Sequence, residues 1–420
     1  MKTQQTAKEI AAADLRRHSI FGLNGLNFFV ADMFTGFGPF VTVYLTANGW
    51  TPTDIGLALS IGTLAAVAGQ VPAGALVDAV FHRRLVTALG IAAVIASALA
   101  LATFPHWWPV LGAELLQGIA ASLLTPAVAA MTLSLSRGDQ LAQRLGGNVR
   151  YKALGSMLTA LLMGYIGTHI STGAVFYVSA IFGGIALGFL LMISGVDIRN
   201  APHRTQHPGA LPKHLHSRPA RRKREMWRDP TLLTFAACIF MFHLSNAAVL
   251  PFAISAIQST GTKNTDTLVS IALVVSQAVV AIISPRIGLL AEARGRKTIL
   301  LAGFAALALR CALLAIWNGE VSLVLCQVLD GISGATIGVM VPLIVADITL
   351  HGGRFNLALG IVGLAVSAGA TLSTTIAGFL TEHFGSHLAF FCLACAAAAG
   401  CALVLLTLPE TRAHAGPSNE

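Results

Sequence analysis

The chain has 420 residues, 55% of them hydrophobic and 11% charged, with a formal charge of +9. Soluble domains carry about 25% charged residues, and a soluble fold of this length has no interior large enough for so much apolar surface. The composition excludes a soluble globular domain and makes a lipid bilayer the solvent.

Residues 1–18 are polar and carry Lys2, Lys8, Arg16 and Arg17. The apolar run behind them is too long for a signal core and lacks a small-residue cleavage pattern, so no cleavable signal peptide is expected. A membrane-spanning helix needs about 20 mostly apolar residues. Apolar runs bounded by Gly, Pro, Asn and charge predict twelve such helices, at 20–46, 55–77, 85–104, 109–135, 153–170, 172–195, 230–257, 267–290, 298–317, 321–346, 357–380 and 388–408. The loops from odd to even helices hold one basic residue, Lys263, and Arg310 falls inside a helix. The other 25 of the 27 Lys and Arg lie in the alternate loops, at their edges or at the termini. The positive-inside rule places those loops and both termini in the cytoplasm.

Residues 196–229 divide the chain into an N-terminal bundle (1–195) and a C-terminal bundle (230–420). This linker is rich in Pro, His and basic residues. Its cluster Arg221, Arg222, Lys223 and Arg224 suits anionic headgroups or serves as topogenic charge; nucleic-acid binding is the weaker alternative. His203, His207, His214 and His216 show no ligand lattice. The six cysteines, all in apolar stretches of the second half, read as small buried hydrophobes.

The two halves repeat. Gly74, Asp78 and Arg83 after the second helix stand 214 residues before Gly288, Glu292 and Lys297 after the eighth; Gln117-Gly118 stands 213 before Asp330-Gly331. Two six-helix bundles related by an axis along the membrane normal, with a substrate site between them, are expected.

The run Gly288, Glu292, Gly295, Arg296 and Lys297 resembles the signature loop of the major facilitator superfamily. The first copy keeps Gly74, Asp78 and Arg83 but has Ala79, Phe81 and His82 where the family carries basic, Gly and basic residues. The resemblance implies an all-α membrane protein of twelve transmembrane helices in two pseudo-symmetric six-helix bundles. A carboxylate at such a helix end can meet basic residues and the positive N-terminus of a neighbouring helix. Asp78, Arg83, Glu292, Arg296 and Lys297 are therefore gating candidates, with plain topogenic charge as the alternative.

Ionisable groups within a span cost about 2.5–3.5 kcal/mol each on insertion scales, so they should face a cavity or a partner. Helix 1 carries Asn24, Asn27 and Asp32, helix 2 Gln70, helix 4 Glu114 and Gln117, and helix 7 His243 and Asn246. Helix 8 has Gln277, helix 9 Arg310, and helix 10 Gln327 and Asp330. Glu114/Gln117, His243/Asn246 and Gln327/Asp330 are i, i+3 pairs, each one polar patch. Helices 1, 4, 7 and 10 line the central cavity in the resembling family. This makes Asn24, Asn27, Asp32, Glu114, Gln117, His243, Asn246, Gln327 and Asp330 candidates for substrate or proton binding. Glu114 stands where the family often has an Arg tied to proton coupling. A carboxyl in an apolar setting can load and release a proton, and Asp32 reads the same way; structural satisfaction by neighbouring helices is the alternative for Glu114. Arg310 is expected to form a structural ion pair with Asp330, which could instead contact substrate. His243 either titrates or packs.

The chain has no phosphate-binding Gly-x-x-x-x-Gly-Lys-Ser/Thr loop and no hydrolase constellation, so neither ATP-driven transport nor enzymatic activity is expected. The family's fifth-helix antiporter motif is absent: Gly155, Gly164 and Gly167 are present, but 153–170 has no proline. The function expected is a secondary active transporter of the inner membrane, moving a small cationic or amphipathic organic solute by alternating access, with proton-coupled efflux. A metabolite importer, a divalent-metal transporter using Asp32, Glu114 and His243, and a non-transporting membrane sensor are the alternatives. The partners expected are the solute, protons and membrane lipids, with no nucleic acid, cofactor or metal, and a monomeric chain.

Overall fold

The computed structural model describes residues 2–35, 37–80, 82–136, 140–194, 229–258, 265–317, 319–349 and 354–411. Within these, the side chains of 2–13, 32–39, 52–53, 168, 258 and 265–267 are outside the description. The linker expected over 196–229 lies outside the described residues apart from Asp229.

Fourteen α-helices and no strand form among the described residues. In the first half they are α1 (Lys2–Thr35), α2 (Phe37–Ala47), α3 (Pro52–Ala79), α4 (Arg83–Thr103), α5 (Trp107–Leu135), α6 (Leu141–His169) and α7 (Ala174–Leu191). In the second half they are α8 (Pro230–Asn246), α9 (Val249–Gln258), α10 (Thr265–Arg294), α11 (Arg296–Ile316), α12 (Glu320–Ile348), α13 (Phe355–Phe384) and α14 (Ser386–Thr407). Ten spans are long and apolar enough to cross a bilayer, with α8 and α9 counted as one. The two other long helices, α1 and α6, pack among them, α1 against α6 and α7, and α6 along α10. The expected first and seventh spans are each a pair of helices, α1 with α2 and α8 with α9. Large apolar side chains such as Leu64, Trp108, Ile316 and Leu406 stay exposed, where lipid rather than water covers them.

The helices start where the local chemistry predicts. Thr51 caps α3, its hydroxyl accepting from the Asp54 amide at 3.2 Å, with Pro52 in the first turn. Asp229 caps α8 by accepting from the Thr231 and Leu232 amides. Two boundaries depart from expectation. The first helix begins at Lys2 rather than near residue 20. The fifth begins at Leu141, a dozen residues before the predicted 153, so Arg144, Arg150 and Lys152 lie on α6 and not in a loop.

Each half has its own apolar core. Leu23, Leu26, Ile91, Leu101, Leu124 and Phe176 belong to the first. Phe235, Phe242, Phe304, Leu307, Met340 and Phe390 belong to the second, which Leu141, Ala142 and Leu145 of α6 also join. The halves meet chiefly at two joints, α3 with α13 and α6 with α10, with smaller contacts of α6 with α12 and α5 with α13.

These joints repeat the symmetry seen in the sequence. A side chain at Gly74 would collide with the carbonyl oxygen of Asn356; one at Gly288 would collide with that of Ala142. Gly360 abuts the carbonyl of Gln70, and Gly146 that of Ser284. Corresponding members of both joints differ by 214 residues, the offset of the signature loops. All four contacts lie toward the end of the bundle that carries those loops, called the loop end below. The missing Cβ at each glycine lets helix backbones touch, which larger residues would prevent.

Candidate functional site

Above the loop end lies a cavity of about 130 Å³, lined by α1 (Asn27, Val30, Ala31), α5 (Leu124, Thr125, Val128, Ala129, Thr132), α6 (Leu145, Asn148, Val149, Lys152) and α12 (Gly338, Pro342). Both halves contribute to its wall. It is mostly apolar, and its polar groups are Asn27, Thr125, Thr132, Asn148 and Lys152. The Asn27 side-chain amide donates to the Leu23 carbonyl of its own helix. Lys152 is the one ionisable side chain on the described lining. It is exposed and forms part of the cavity surface.

The loop end below the cavity is closed by a clasp and a framework. Asp78, at the end of α3, accepts hydrogen bonds from the Asn356 amide (3.2 Å), the Leu357 amide (2.9 Å) and the Asn356 side-chain nitrogen (2.7 Å). Its carboxylate thus sits on the N-terminus of α13, where unpaired N–H groups and the helix dipole favour negative charge. Arg83 serves its own half, donating to the Ala130 carbonyl (3.2 Å) and to the Ser134 hydroxyl, near the C-terminal end of α5.

The second signature copy does different work. Arg296 is almost fully buried and pairs with Glu292 and Asp347, both at 3.0 Å. It also donates to the Ala291 carbonyl at 2.8 Å. Glu410, beyond α14, accepts from the Arg296 and Lys297 amides and caps α11. Gly295 makes the turn into α11 with φ +92, and a side chain there would also meet the Glu410 carboxylate. Lys297 donates to the Leu405 carbonyl at 2.8 Å. All these contacts stay within the second half. Asp78 reaches across the halves, while Glu292, its counterpart at the same offset, does not in any contact described here.

The remaining candidates are distributed among helix interfaces. Glu114 is buried against Gly62 of α3, with Gly118 one turn on pressed against the same helix; Glu114 and Gln117 are therefore not on the described cavity wall. Asn24 is also away from that wall. His243 lies edge-on to Phe242 and beside Gly369 of α13. Gln327 is fully buried and donates to the Leu323 carbonyl of its own helix at 3.4 Å. Arg310, 1% exposed, bonds Asp330 and also the Asn246 side-chain oxygen at 2.9 Å; Asp330 accepts from Ser276 at 2.6 Å as well. The expected ion pair is present and ties α8, α10, α11 and α12 together. The Asp32 side chain lies outside the described residues. Of the nine expected binding residues, Asn27 alone reaches the described lining. No three His, Cys, Asp or Glu side chains converge to hold a metal among the described residues.

Lys152, Asn148, Thr125 and Thr132 are lining residues that the sequence pattern does not single out, because an apolar span beginning at 153 leaves Asn148 and Lys152 in a loop. The pair Asn148/Lys152, one helical turn apart, was the available signal. A contact between the halves was missed as well: Gln70 donates to Ser367 at 2.9 Å.

Sequence comparison decides the family. The Major Facilitator Superfamily sequence model matches residues 23–258 and again 235–420. The chain belongs to the major facilitator superfamily. It is 33% identical over 395 residues to uncharacterized MFS-type transporters of Mycobacterium tuberculosis strains CDC 1551 / Oshkosh and H37Rv, covering 93% of each chain. This superfamily member is thus a multi-pass membrane protein of a transporter family rather than an enzyme family.

Proposed function

We propose that the protein is a secondary active transporter that moves a small amphipathic organic solute by alternating access, coupled to protons and directed outward. The observation that carries this reading is the cavity walled by both halves and closed beneath by the Asp78 clasp and the glycine joints. Rocking the halves about this cavity would open one end as the other shuts. The placement of Lys and Arg supports a cytoplasmic loop end in the inner membrane, with both termini on that side. In this form the loop end is closed.

The described cavity wall holds the Lys152 side chain, and the Asp32 side chain beside Ala31 lies outside the described residues. Glu114 supports proton coupling from another place: a buried carboxyl between α3 and α5 sits beside the helix whose far end makes the clasp.

The test is a solute screen in proteoliposomes with imposed pH gradients of either sign. Solute-specific flux that follows the gradient, and is lost in Glu114→Gln, is expected. Flux indifferent to every gradient would overturn proton coupling, and the absence of any solute-specific flux would overturn transport.

A further inference from the structure

The cavity wall contains a fixed pair of groups that together describe a ligand. Asn148 and Lys152 stand four residues apart on α6, so they share a face about 5–6 Å apart at Cβ. Both line the cavity.

The orientation of Asn148 is determined by its neighbours. The Thr132 hydroxyl donates its hydrogen to the Val128 carbonyl at 2.9 Å. It can therefore only accept from Asn148, whose side-chain nitrogen lies 2.7 Å away. This fixes which end of the amide is which. The Asn148 oxygen then points elsewhere, buried and without a hydrogen-bond partner, on a residue 8% exposed. An unmet buried acceptor costs about 1–3 kcal/mol, which a ligand donor would relieve.

Beside it is the Lys152 amine, a hydrogen-bond donor that is positively charged when protonated, in a mostly apolar chamber. Lys152 is already engaged within the protein. An arriving anion would therefore exchange with its present interaction. Such exchange ties ligand binding to a rearrangement of the contacts Lys152 now makes, which a transport cycle needs.

We propose that Asn148 and Lys152 form the specificity-determining part of the site, and that the solute is a small organic acid carrying a hydroxyl or amide N–H donor. Lys152 takes the acidic group and the Asn148 oxygen takes the donor. Thr125 and Asn27 flank the pair, and Leu124, Val128, Ala129 and Val149 receive the solute's apolar part. This inference rests on the transporter reading above and narrows its substrate class.

Four matched probes test it by calorimetric titration of the full chain in lipid nanodiscs: mandelate, phenylacetate, mandelamide and phenylethanolamine. Mandelate has both groups, phenylacetate lacks the donor, mandelamide lacks the charge and phenylethanolamine reverses it. The expected order is mandelate, then phenylacetate, with the other two at least about tenfold weaker than mandelate. Lys152→Met should lose mandelate binding by about tenfold or more, and Lys152→Arg should retain most of it. Asn148→Ala should abolish the preference for mandelate over phenylacetate while leaving phenylacetate binding in place. The proposal is overturned if the amide or amine binds as well as the acid, if Lys152→Met leaves mandelate binding unchanged, or if none of the four binds the wild-type chain. None of these results touches the transporter reading, which stands or falls on solute-specific flux.

Discussion

Asp78→Asn separates a working clasp from a decorative charge. The substitution keeps the size of the side chain and one acceptor oxygen but removes the negative charge facing α13. Three donors now converge on that carboxylate, two of them backbone amides of the first helical turn. Hydrogen bonds to a charged group are worth about 1.5–3 kcal/mol, and a charge on a helix terminus adds about 0.3–1 kcal/mol. A net loss of about 2–4 kcal/mol shifts the ratio of closed to open loop end by roughly thirty- to several-hundred-fold. Spin labels at the exposed positions His82 and Arg354, on opposite halves, report this by double electron–electron resonance in nanodiscs. The parent should show one short distance population, and Asp78→Asn a second, longer one. Glu292→Gln provides the contrast: Glu292 pairs with Arg296 across the Gly295 turn, wholly within the second half, so its loss weakens no bond between the halves and the distribution should barely move. An unchanged distribution in Asp78→Asn, or an equal shift in both variants, would refute the clasp.

Breaking the Arg310–Asp330 pair should be costly, because one member is almost fully buried. Arg310→Met alone should destabilise the chain by about 3–5 kcal/mol, and the double variant Arg310→Met/Asp330→Leu should regain much of that loss; thermal unfolding in detergent measures both. A bulky side chain at Gly288 must push α10 off α6. Gly288→Leu should therefore admit a membrane-impermeant thiol reagent, from the loop end, to a cysteine placed at Thr125 on the cavity wall, in a background lacking Cys392, Cys395 and Cys401.

Much of this architecture was legible in the sequence, because membranes leave few options. Apolar runs revealed the spans, and Arg310 in a span required a partner, which Asp330 provides. The backbone contacts at the two joints obey the same offset of 214 as the signature loops. The start of α6 was not legible. Gly146 and Gly147 flanked by Arg144, Asn148, Arg150 and Lys152 have the composition of a loop. They stay helical because Gly146 packs on the Ser284 backbone and Asn148 bonds Thr132. The placement of Glu114 off the cavity wall was not legible for another reason. Periodicity shows which residues share a helix face, but not which neighbour that face meets. Glu114 shares its face with Gly118, and the glycine draws that face against α3. The asymmetry of the signature loops was equally invisible: both have a carboxylate at the same position, but only Asp78 finds an unsatisfied helix start in the described contacts.

The glycine joints have a consequence for speed. Side-chain interfaces must re-order many rotamers each time they close, and each long side chain so fixed costs about 0.5–1.5 kcal/mol. At Gly74, Gly146, Gly288 and Gly360 backbone rests on backbone, so these parts of the joint have almost nothing to re-order. They behave as a dry bearing. The halves can part and return there with little entropic friction, which leaves the polar clasp at Asp78 to set how long the loop end stays shut.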